Sequence, residues 1–279
     1  MEDKCKFIRE KILNDVKKEI EELGATPTLA VINCSDDEAS KIYIRNKLNS
    51  CKSVGIKTEF IKLEPQETDL NKLINVILDC NTKYNGVMLQ LPLDEKFKGK
   101  ENMLLNLIDS NCDIDGLGDK QKLKLINNEK DTLISATALA VFKIMEHELG
   151  TTDFSGKKVC IISRSNLIGR PLMNLLLNHN ATPTICHSKT NKNINNYLFN
   201  YGFDFVITGI GKHIIDEDYL AFTTIIDCGI SRDENGKLLR DVIRKYHEDN
   251  TYYGAVGIVT TACVAYNTLK AYKLQNGLY

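Results

Sequence analysis

KVCIISRSNLIGRP, residues 158–171, passes from a short apolar run through a polar turn into a helical pattern that continues to Asn178. Pro171 suits the first turn of a helix, where its missing N–H would have no partner in any case. A strand that enters a helix this way points unpaired N–H groups and the positive end of the helix dipole at one place. The stretch therefore predicts a parallel α/β sheet with an anion-binding turn. A full GxGxxG is absent, so a purely structural turn is the alternative.

Similar strand and helix patterns alternate along the rest of the chain. Strands are expected at 28–33, 57–63, 86–93, 158–163, 182–187, 205–208 and 224–230. Helices are expected at 3–23, from Asp36 or Asp37 to about 54, and at 70–78, 136–149, 170–178 and 261–274. This alternation is typical of βαβ units. At roughly 150 residues per domain, 279 residues suggest two domains, with a boundary near Ser135 and a last helix that packs on the first domain.

Composition excludes several classes of protein. With 36 Lys and Arg against 37 Asp and Glu, the chain has no diffuse positive field, so nucleic acid is not an expected partner. The charged amino terminus resembles neither a signal peptide nor a membrane span. Nine cysteines, no two closer than 17 residues, argue against CxxC metal sites and a disulfide framework. We therefore expect a cytoplasmic protein with no bound metal and no membrane association.

The residues after the strand at 182–187 bear on the choice of cofactor. In a doubly wound fold this position contacts the adenosine ribose, and an acidic residue there would repel a 2′-phosphate. The chain instead has His187, Ser188 and Lys189, with Arg164 in the preceding turn, which favours NADP over NAD. A solvated strand end is the alternative. TGIG, residues 208–211, would let the backbone approach a cofactor closely but is also an ordinary turn sequence.

Four residues of the first half form a candidate catalytic group. Tyr43 and Lys47 are spaced i, i+4 on the second predicted helix, so they lie on one face, where a ring can stack a planar ligand beside an amine that transfers protons. Such a pair is more often simply solvated. Gln90 interrupts an otherwise apolar strand, where its amide needs partners. Asp115 precedes Gly116 in a loop that could close over a ligand.

Seven short motifs occur in order along nearly the whole chain. They are YIRNK (43–47), GVMLQLPL (86–93), DIDG (113–116), RS with IGRP (164–171), CHSKT (186–190), DCGI (227–230) and GKL (236–238). In this order they resemble the bifunctional methylenetetrahydrofolate dehydrogenase/methenyltetrahydrofolate cyclohydrolase family. The resemblance implies two α/β domains with a cleft between them: a folate-binding domain of residues 1–134 plus 258–279, and a Rossmann-type NADP-binding domain of residues 135–257.

The resemblance also implies an activity. It is the NADP-dependent oxidation of 5,10-methylenetetrahydrofolate, followed by hydrolysis of the methenyl product to 10-formyltetrahydrofolate. The resemblance further implies a homodimer that binds a small-molecule folate as its substrate. Tyr43 would stack on the aminobenzoate, Lys47 would be the general acid/base, Gln90 would orient Lys47, and Asp115 would hold the pterin. Arg164 and Ser188 would contact the 2′-phosphate. The implied cofactor-binding residues are Arg164, Ser165, Ile168, Gly169, His187, Ser188, Gly209, Gly211, Ile230 and Thr260.

Three departures from the family pattern keep alternatives open. Residues 135–138 read SATA where the family usually has PCTP, and residues 253–260 read YGAVGIVT where it usually has PGGVGPMT. Ser163 replaces the usual glycine at the start of the cofactor turn. Lost prolines free φ angles, and Ala255 disfavours positive φ. One alternative is a folate- or nucleotide-binding homologue that has lost one or both activities. Another is an NADP oxidoreductase of the shikimate-dehydrogenase type.

Overall fold

The chain divides into two compact units. The computed structural model describes residues 2–190, 193–220, 222–229, 231–232, 238–245 and 250–279. The three-strand unit consists of Arg9–Ala136 and Thr260–Tyr279, and the five-strand unit of Met1–Ile8 and Thr137–Val259. The division points after residues 136 and 259 lie two residues from the expected ones, whereas residues 1–8 were expected in the same domain as residues 9–134. The segment that ends at Ile8 belongs to the five-strand unit, where the ring of Phe7 lies 5.5 Å from that of His147.

Helices and strands alternate through most of the chain. The elements of the first half are α1 (Glu2–Leu23), β1 (Thr28–Asn33), α2 (Glu38–Ser53), β2 (Lys57–Lys62), α3 (Leu70–Lys83), β3 (Gly86–Leu89), α4 (Glu101–Leu105) and α5 (Asp119–Ile126). Those of the second half are α6 (Ala136–Leu149), β4 (Lys158–Ile162), α7 (Gly169–Asn178), β5 (Thr182–Cys186), α8 (Ile194–Tyr201), β6 (Phe205–Thr208), β7 (Ile215–Asp216), β8 (Thr224–Asp227), β9 (Ser231–Arg232), β10 (Leu238–Leu239), β11 (Val242–Ile243), β12 (Thr251–Tyr253) and α9 (Val256–Gln275).

The three-strand unit is built on a parallel sheet in the order β2-β1-β3. Ala30 and Ile32 of β1 and Val87 and Leu89 of β3 belong to one buried apolar cluster that also includes residues of α3. Because successive strand residues point to opposite faces, Met88 lies on the other face of the sheet.

The five-strand unit contains a parallel sheet in the order β12-β8-β6-β4-β5. Its first strand in sequence, β4, lies between β5 and β6, so the chain first moves to one side of β4 and then returns to the other. Open α/β sheets bind ligands at such a reversal, beyond the carboxyl ends of the strands. The two parallel α/β units confirm the fold class predicted from the alternating patterns.

Several element boundaries differ from the sequence expectations. The third strand ends at Leu89 rather than at residue 93, although the N–H of Gln90 still donates to the carbonyl of Ile32 over 2.8 Å. Helix α9 begins at Val256, five residues before expectation, because the glycines and β-branched residues that precede 261 disguise its start. Strand β12 and helices α4, α5 and α8 were not predicted, since their short patterns are weak in isolation.

The cysteines are unpaired and mostly inaccessible. All nine are free thiols, eight of them buried and Cys228 half-buried, as expected for thiols that act as small apolar side chains. Burial raises the pKa of the Cys51 thiol to about 12 and that of Cys80 to about 11.

Among the described helices, none has the length and apolar character needed to cross a bilayer.

Candidate active site

Lys47 and Gln90 meet in the three-strand unit. The Nζ of Lys47 donates to Oε1 of Gln90 over 3.1 Å and lies 3.4 Å from Sδ of Met88. The Nε2 of Gln90 donates to the carbonyl of Leu91 over 2.6 Å, which turns Oε1 toward the amine. The polar residue that interrupts an apolar strand thus finds the partners it needs, and the direction of the lysine amine is fixed by two acceptors.

Helix α2 presents Tyr43 one turn before Lys47. Tyr43 keeps 38% of its surface exposed, which leaves a ring face free for stacking. The buried side of the helix carries Ile44, Leu48 and Cys51, at i, i+4 and i+7. Ile42 is not part of this stripe: it is 51% exposed, because its position on the helix is rotated away from these three residues. The pair Tyr43 and Lys47 is therefore held by a firmly packed helix.

The loop that carries Asp115 is anchored from two sides. Gly116 has φ +60°, and a Cβ there would lie 2.3 Å from the carbonyl oxygen of Leu133. Asn267, 1% exposed on α9, donates from Nδ2 to the carbonyls of Ile114 over 2.8 Å and Ile134 over 2.7 Å. Asp115 itself is half-buried, at a fixed position but accessible.

The turn between β4 and α7 is compact and held by hydroxyl groups. Ser165 Oγ accepts the N–H of Ile168 over 3.1 Å and lies 3.2 Å from Ser163 Oγ. A Cβ on Gly169 would lie 2.1 Å from the carbonyl oxygen of Ser163, so only glycine allows this approach. Arg164 and Ser165 are exposed. The turn thus offers a guanidinium and a hydroxyl to solvent just before the amino terminus of α7.

The segment after β5 is a tight turn. His187 N–H donates to Thr190 Oγ1 over 2.9 Å, and its Nδ1 accepts the N–H of Lys189 over 3.1 Å. Ser188 is exposed at the tip. No carboxylate occurs in this turn, and its hydroxyl, imidazole and ammonium groups are suited to a phosphate.

The turn after β6 packs against the turn after β4. A Cβ on Gly209 would lie 2.7 Å from Cδ1 of Ile168, so the two turns touch at the reversal of the sheet. Gly211 adopts φ +83°. The exposed Arg164, the hydroxyls of Ser165 and Ser188 and these glycines fit a dinucleotide phosphate bound along this edge.

Two predicted cofactor residues are not part of this group. Thr260 lies in helix α9 and belongs to the three-strand unit, whereas the other described cofactor candidates belong to the five-strand unit. Ile230 lies outside the described residues.

The departures from the family pattern are compatible with the backbone. Neither Ser163 nor Ala255 has positive φ, so neither position requires glycine. Ser163 Oγ instead accepts the N–H of Ser165 over 3.4 Å. Ser135 is buried and Thr137 half-buried at the start of α6. The two replaced glycines therefore remove no conformation that the backbone uses here.

Two family models match the chain. Residues 4–115 match the tetrahydrofolate dehydrogenase/cyclohydrolase catalytic domain, and residues 135–276 match the NAD(P)-binding domain of the same family. The chain belongs to the tetrahydrofolate dehydrogenase/cyclohydrolase family. The predicted family is thereby confirmed, and the five-strand unit carries the family's NAD(P)-binding domain.

Individual members of the family are similar along nearly their whole length. The bifunctional protein FolD of Aquifex aeolicus is 34% identical over 96% of this chain and 94% of its own. FolD of Nautilia profundicola is 35% identical over 96% and 95%. The crystal structure of the bifunctional 5,10-methylenetetrahydrofolate dehydrogenase/cyclohydrolase from Thermoplasma acidophilum matches with a TM-score of 0.87 and 28% identity over 97% of each chain.

Met88, Asn267 and Asp241 were not among the residues predicted for the candidate sites. Met88 lies among apolar strand residues, and nothing local distinguishes it. Both polar residues bind segments far from them in sequence. Asn267 donates to the carbonyls of residues 114 and 134, and Asp241 accepts N–H groups of the turn at 208–212. A polar residue in an apolar context, Asn267 within VAYNTLK, was the one available signal.

Proposed function

We propose that this protein oxidises 5,10-methylenetetrahydrofolate with NADP and hydrolyses the resulting methenyl compound to 10-formyltetrahydrofolate. The observation that carries the proposal is the contact of 3.1 Å between Lys47 Nζ and Gln90 Oε1, beside the accessible ring of Tyr43. Membership of a family whose relatives are bifunctional FolD proteins supports both activities. It offers no support for a shikimate-dehydrogenase-type reaction.

Hydrolysis depends on residues of the three-strand unit. Tyr43 stacks on the aminobenzoate and Asp115 binds the pterin. The methenyl compound is a cation that water attacks, and Lys47 accepts a proton from that water and returns one to the ring nitrogen that departs. Gln90 keeps the amine in one direction through its own bond to the Leu91 carbonyl. A positioned acid/base of this kind contributes roughly 10²- to 10⁴-fold to a rate.

Oxidation depends on the cofactor held by the five-strand unit. When bound, NADP would supply the acceptor for the hydride that leaves the methylene carbon. Arg164 and Ser188 would contact the 2′-phosphate, and His187 and the turn with Ser165, Ile168 and Gly169 would hold other parts of the cofactor. Gly209 and Gly211 would let the backbone approach the dinucleotide closely. The missing carboxylate after β5 supports NADP over NAD.

We further propose that the protein is a cytoplasmic homodimer of one-carbon metabolism whose formyl product serves purine biosynthesis. The nine free thiols support a reducing compartment.

The test is a pair of assays on the wild type and Lys47→Ala. The wild type should oxidise methylenetetrahydrofolate with NADP and more slowly with NAD, and should hydrolyse the methenyl compound. Lys47→Ala should reduce hydrolysis at least about 100-fold, while folate and NADP still bind. Lys52→Ala, an exposed lysine on the same helix, is the matched control and should change neither rate. A folded wild type that binds both ligands without turnover would establish the binding-only alternative instead.

A further inference from the structure

The carboxylate of Asp241 is completely buried in the five-strand unit and fully engaged. Its Oδ2 accepts Thr208 Oγ1 over 2.5 Å and the N–H of Ile210 over 2.7 Å. Its Oδ1 accepts the N–H groups of Gly211 over 2.7 Å and Lys212 over 2.8 Å. One side chain thus satisfies a hydroxyl and three successive backbone donors from a turn about 30 residues earlier in the chain.

Three successive N–H groups that converge in this way form an anion-binding concavity. In the turn after β6 the anion is supplied by the protein itself, and the left-handed conformation of Gly211, φ +83°, allows the groups to converge. Without the carboxylate these converging donors would lose the acceptor that they share and would repel one another. The shape of the turn therefore depends on Asp241.

Asp241 is itself held in place by other strands. Its carbonyl accepts the N–H groups of Ile214 and Ile215 over 3.0 and 3.1 Å, and the next N–H, of Val242, points to Asp227 Oδ2 at 3.3 Å. A Cβ on Gly229 would lie 2.1 Å from Asp241 Oδ1, so the side chain also fits tightly beneath the turn after β8. The carboxylate is a fixed point, and the turn at 208–212 is shaped around it.

That turn lies where the sheet reverses its direction of winding. Gly209 packs on Ile168, which immediately precedes α7, so residues 208–212 border the edge at which parallel α/β sheets bind dinucleotides. We propose that Asp241 is a positioning residue of the dinucleotide site: it draws the N–H groups of residues 210–212 inward, so that the backbone of Gly209 and Gly211 can approach the cofactor closely. This inference rests on the proposed function.

The first test uses the wild type without cofactor. Residue-resolved hydrogen exchange should show the amides of Ile210, Gly211 and Lys212 to be protected at least tenfold relative to an unstructured chain, because the side chain of Asp241 already binds them. Exchange at unprotected rates in the cofactor-free wild type overturns the proposal, whatever happens to any variant.

The second test is Asp241→Asn, which keeps the size of the side chain but replaces one acceptor oxygen by an NH₂ group. Exchange of the three amides should accelerate at least tenfold, and the dissociation constant for NADP, measured by calorimetry, should rise at least tenfold. Oxidation at limiting NADP should fall at least tenfold relative to hydrolysis in the same preparation. If Asp241→Asn does not fold, Thr208→Val, which deletes one donor of the same carboxylate, should still raise the dissociation constant by about threefold.

Asp204→Asn is the matched control. Asp204 Oδ2 also accepts a backbone N–H in this unit, that of Lys158 over 2.8 Å, but at the amino ends of the strands. The Asp204→Asn variant should keep a dissociation constant for NADP within twofold of the wild-type value. An equal loss of affinity in both variants would reduce Asp241 to a general structural role. Unchanged affinity in Asp241→Asn, with a wild type that performs both reactions, overturns this inference alone, whereas a wild type that binds no NADP overturns it together with the proposed function.

Discussion

At the scale of single residues, hydrogen-bond acceptors fix the position of the candidate catalytic amine. Lys47 has two, Gln90 Oε1 and Met88 Sδ, and Gln90 is in turn held by the Leu91 carbonyl. The spacing of Tyr43 and Lys47 and the anomalous Gln90 were visible in the sequence. Their meeting was not, because residues 47 and 90 are on different elements and only the packing of α2 on the sheet brings them together.

Gly169 provides a residue-scale prediction. A Cβ added at Gly169 would lie only 2.1 Å from the carbonyl oxygen of Ser163. That oxygen belongs to the backbone, so it cannot move aside as the end of a flexible side chain could. Gly169→Ala must therefore displace the turn backbone, and we expect NADP affinity to fall at least tenfold. Calorimetric titration with NADP checks this, and the ratio of oxidation to hydrolysis should fall in parallel. Wild-type affinity in Gly169→Ala would contradict the assigned role of this turn.

At the scale of elements, hydrophobic alternation and helix caps account for most of the observed boundaries. Asp37 Oδ2 accepts Ser40 N–H over 2.8 Å at the start of α2, and Asp69 Oδ1 accepts Lys72 N–H over 2.7 Å at the start of α3. The sequence indicated Asp36 or Asp37 as the first of these caps, whereas Asp69 was not singled out before the apolar stretch at 70–78. The short elements β12 and α8 were not, because three to eight residues carry too little periodicity to stand out.

These two caps give an element-scale prediction. Asp37→Ala and Asp69→Ala should each lower the free energy of unfolding by about 1 kcal/mol, the usual contribution of an N-cap. Only α2 carries Tyr43 and Lys47, so only Asp37→Ala should also raise the KM for the methenyl substrate, by a few fold. Urea denaturation and steady-state kinetics on both variants make the comparison. Equal kinetic effects from the two caps would show that the first turn of α2 does not position the site.

At the scale of the whole molecule, residues near the carboxyl end of the chain stabilise loops that lie far from them in sequence. Helix α9 closes the three-strand unit through Asn267, which binds carbonyls at residues 114 and 134. The same unit contains a pocket of about 370 Å³ with Asp113 in its wall.

Asp113 is 2% exposed. Its Oδ2 accepts the N–H of Gly118 over 2.8 Å, while its Oδ1 has no hydrogen-bond partner among the described residues.

Asp113 makes stability depend on pH. Burial raises its pKa from the ordinary 3.8 to about 6, so the folded state holds this proton more tightly than the unfolded chain. Its stabilising contribution is complete below about pH 4 and is lost as the pH rises through 6. The unfolding free energy of the three-strand unit should therefore decline between pH 4 and 7.5 by up to about 3 kcal/mol from this group. Urea denaturation at a series of pH values measures it.

Asp113→Asn should flatten that decline, since the variant binds no proton in this range. Asp119→Asn is the control from the same segment: Asp119 is exposed, and its hydrogen bonds to Lys122 and Asn106 lower its pKa, so its replacement should not flatten the slope. An unchanged slope in Asp113→Asn would assign the pH dependence to another carboxyl group, such as Asp227, whose pKa burial also raises.

The sequence by itself determined the alternation of strands and helices, the turn at 158–171, the family and the residue types available for folate and NADP chemistry. These are local properties, set by side-chain periodicity, by glycine and proline, and by hydrogen-bonding capacity over a few residues. Tertiary structure alone decided which acceptors Lys47 has, that Ser163 and Ala255 need no positive φ, and that Asp241 fills the turn after β6. The contacts of Lys47 and Asp241 join residues about 30 to 43 positions apart, whose pairing is fixed only when the sheets and helices pack.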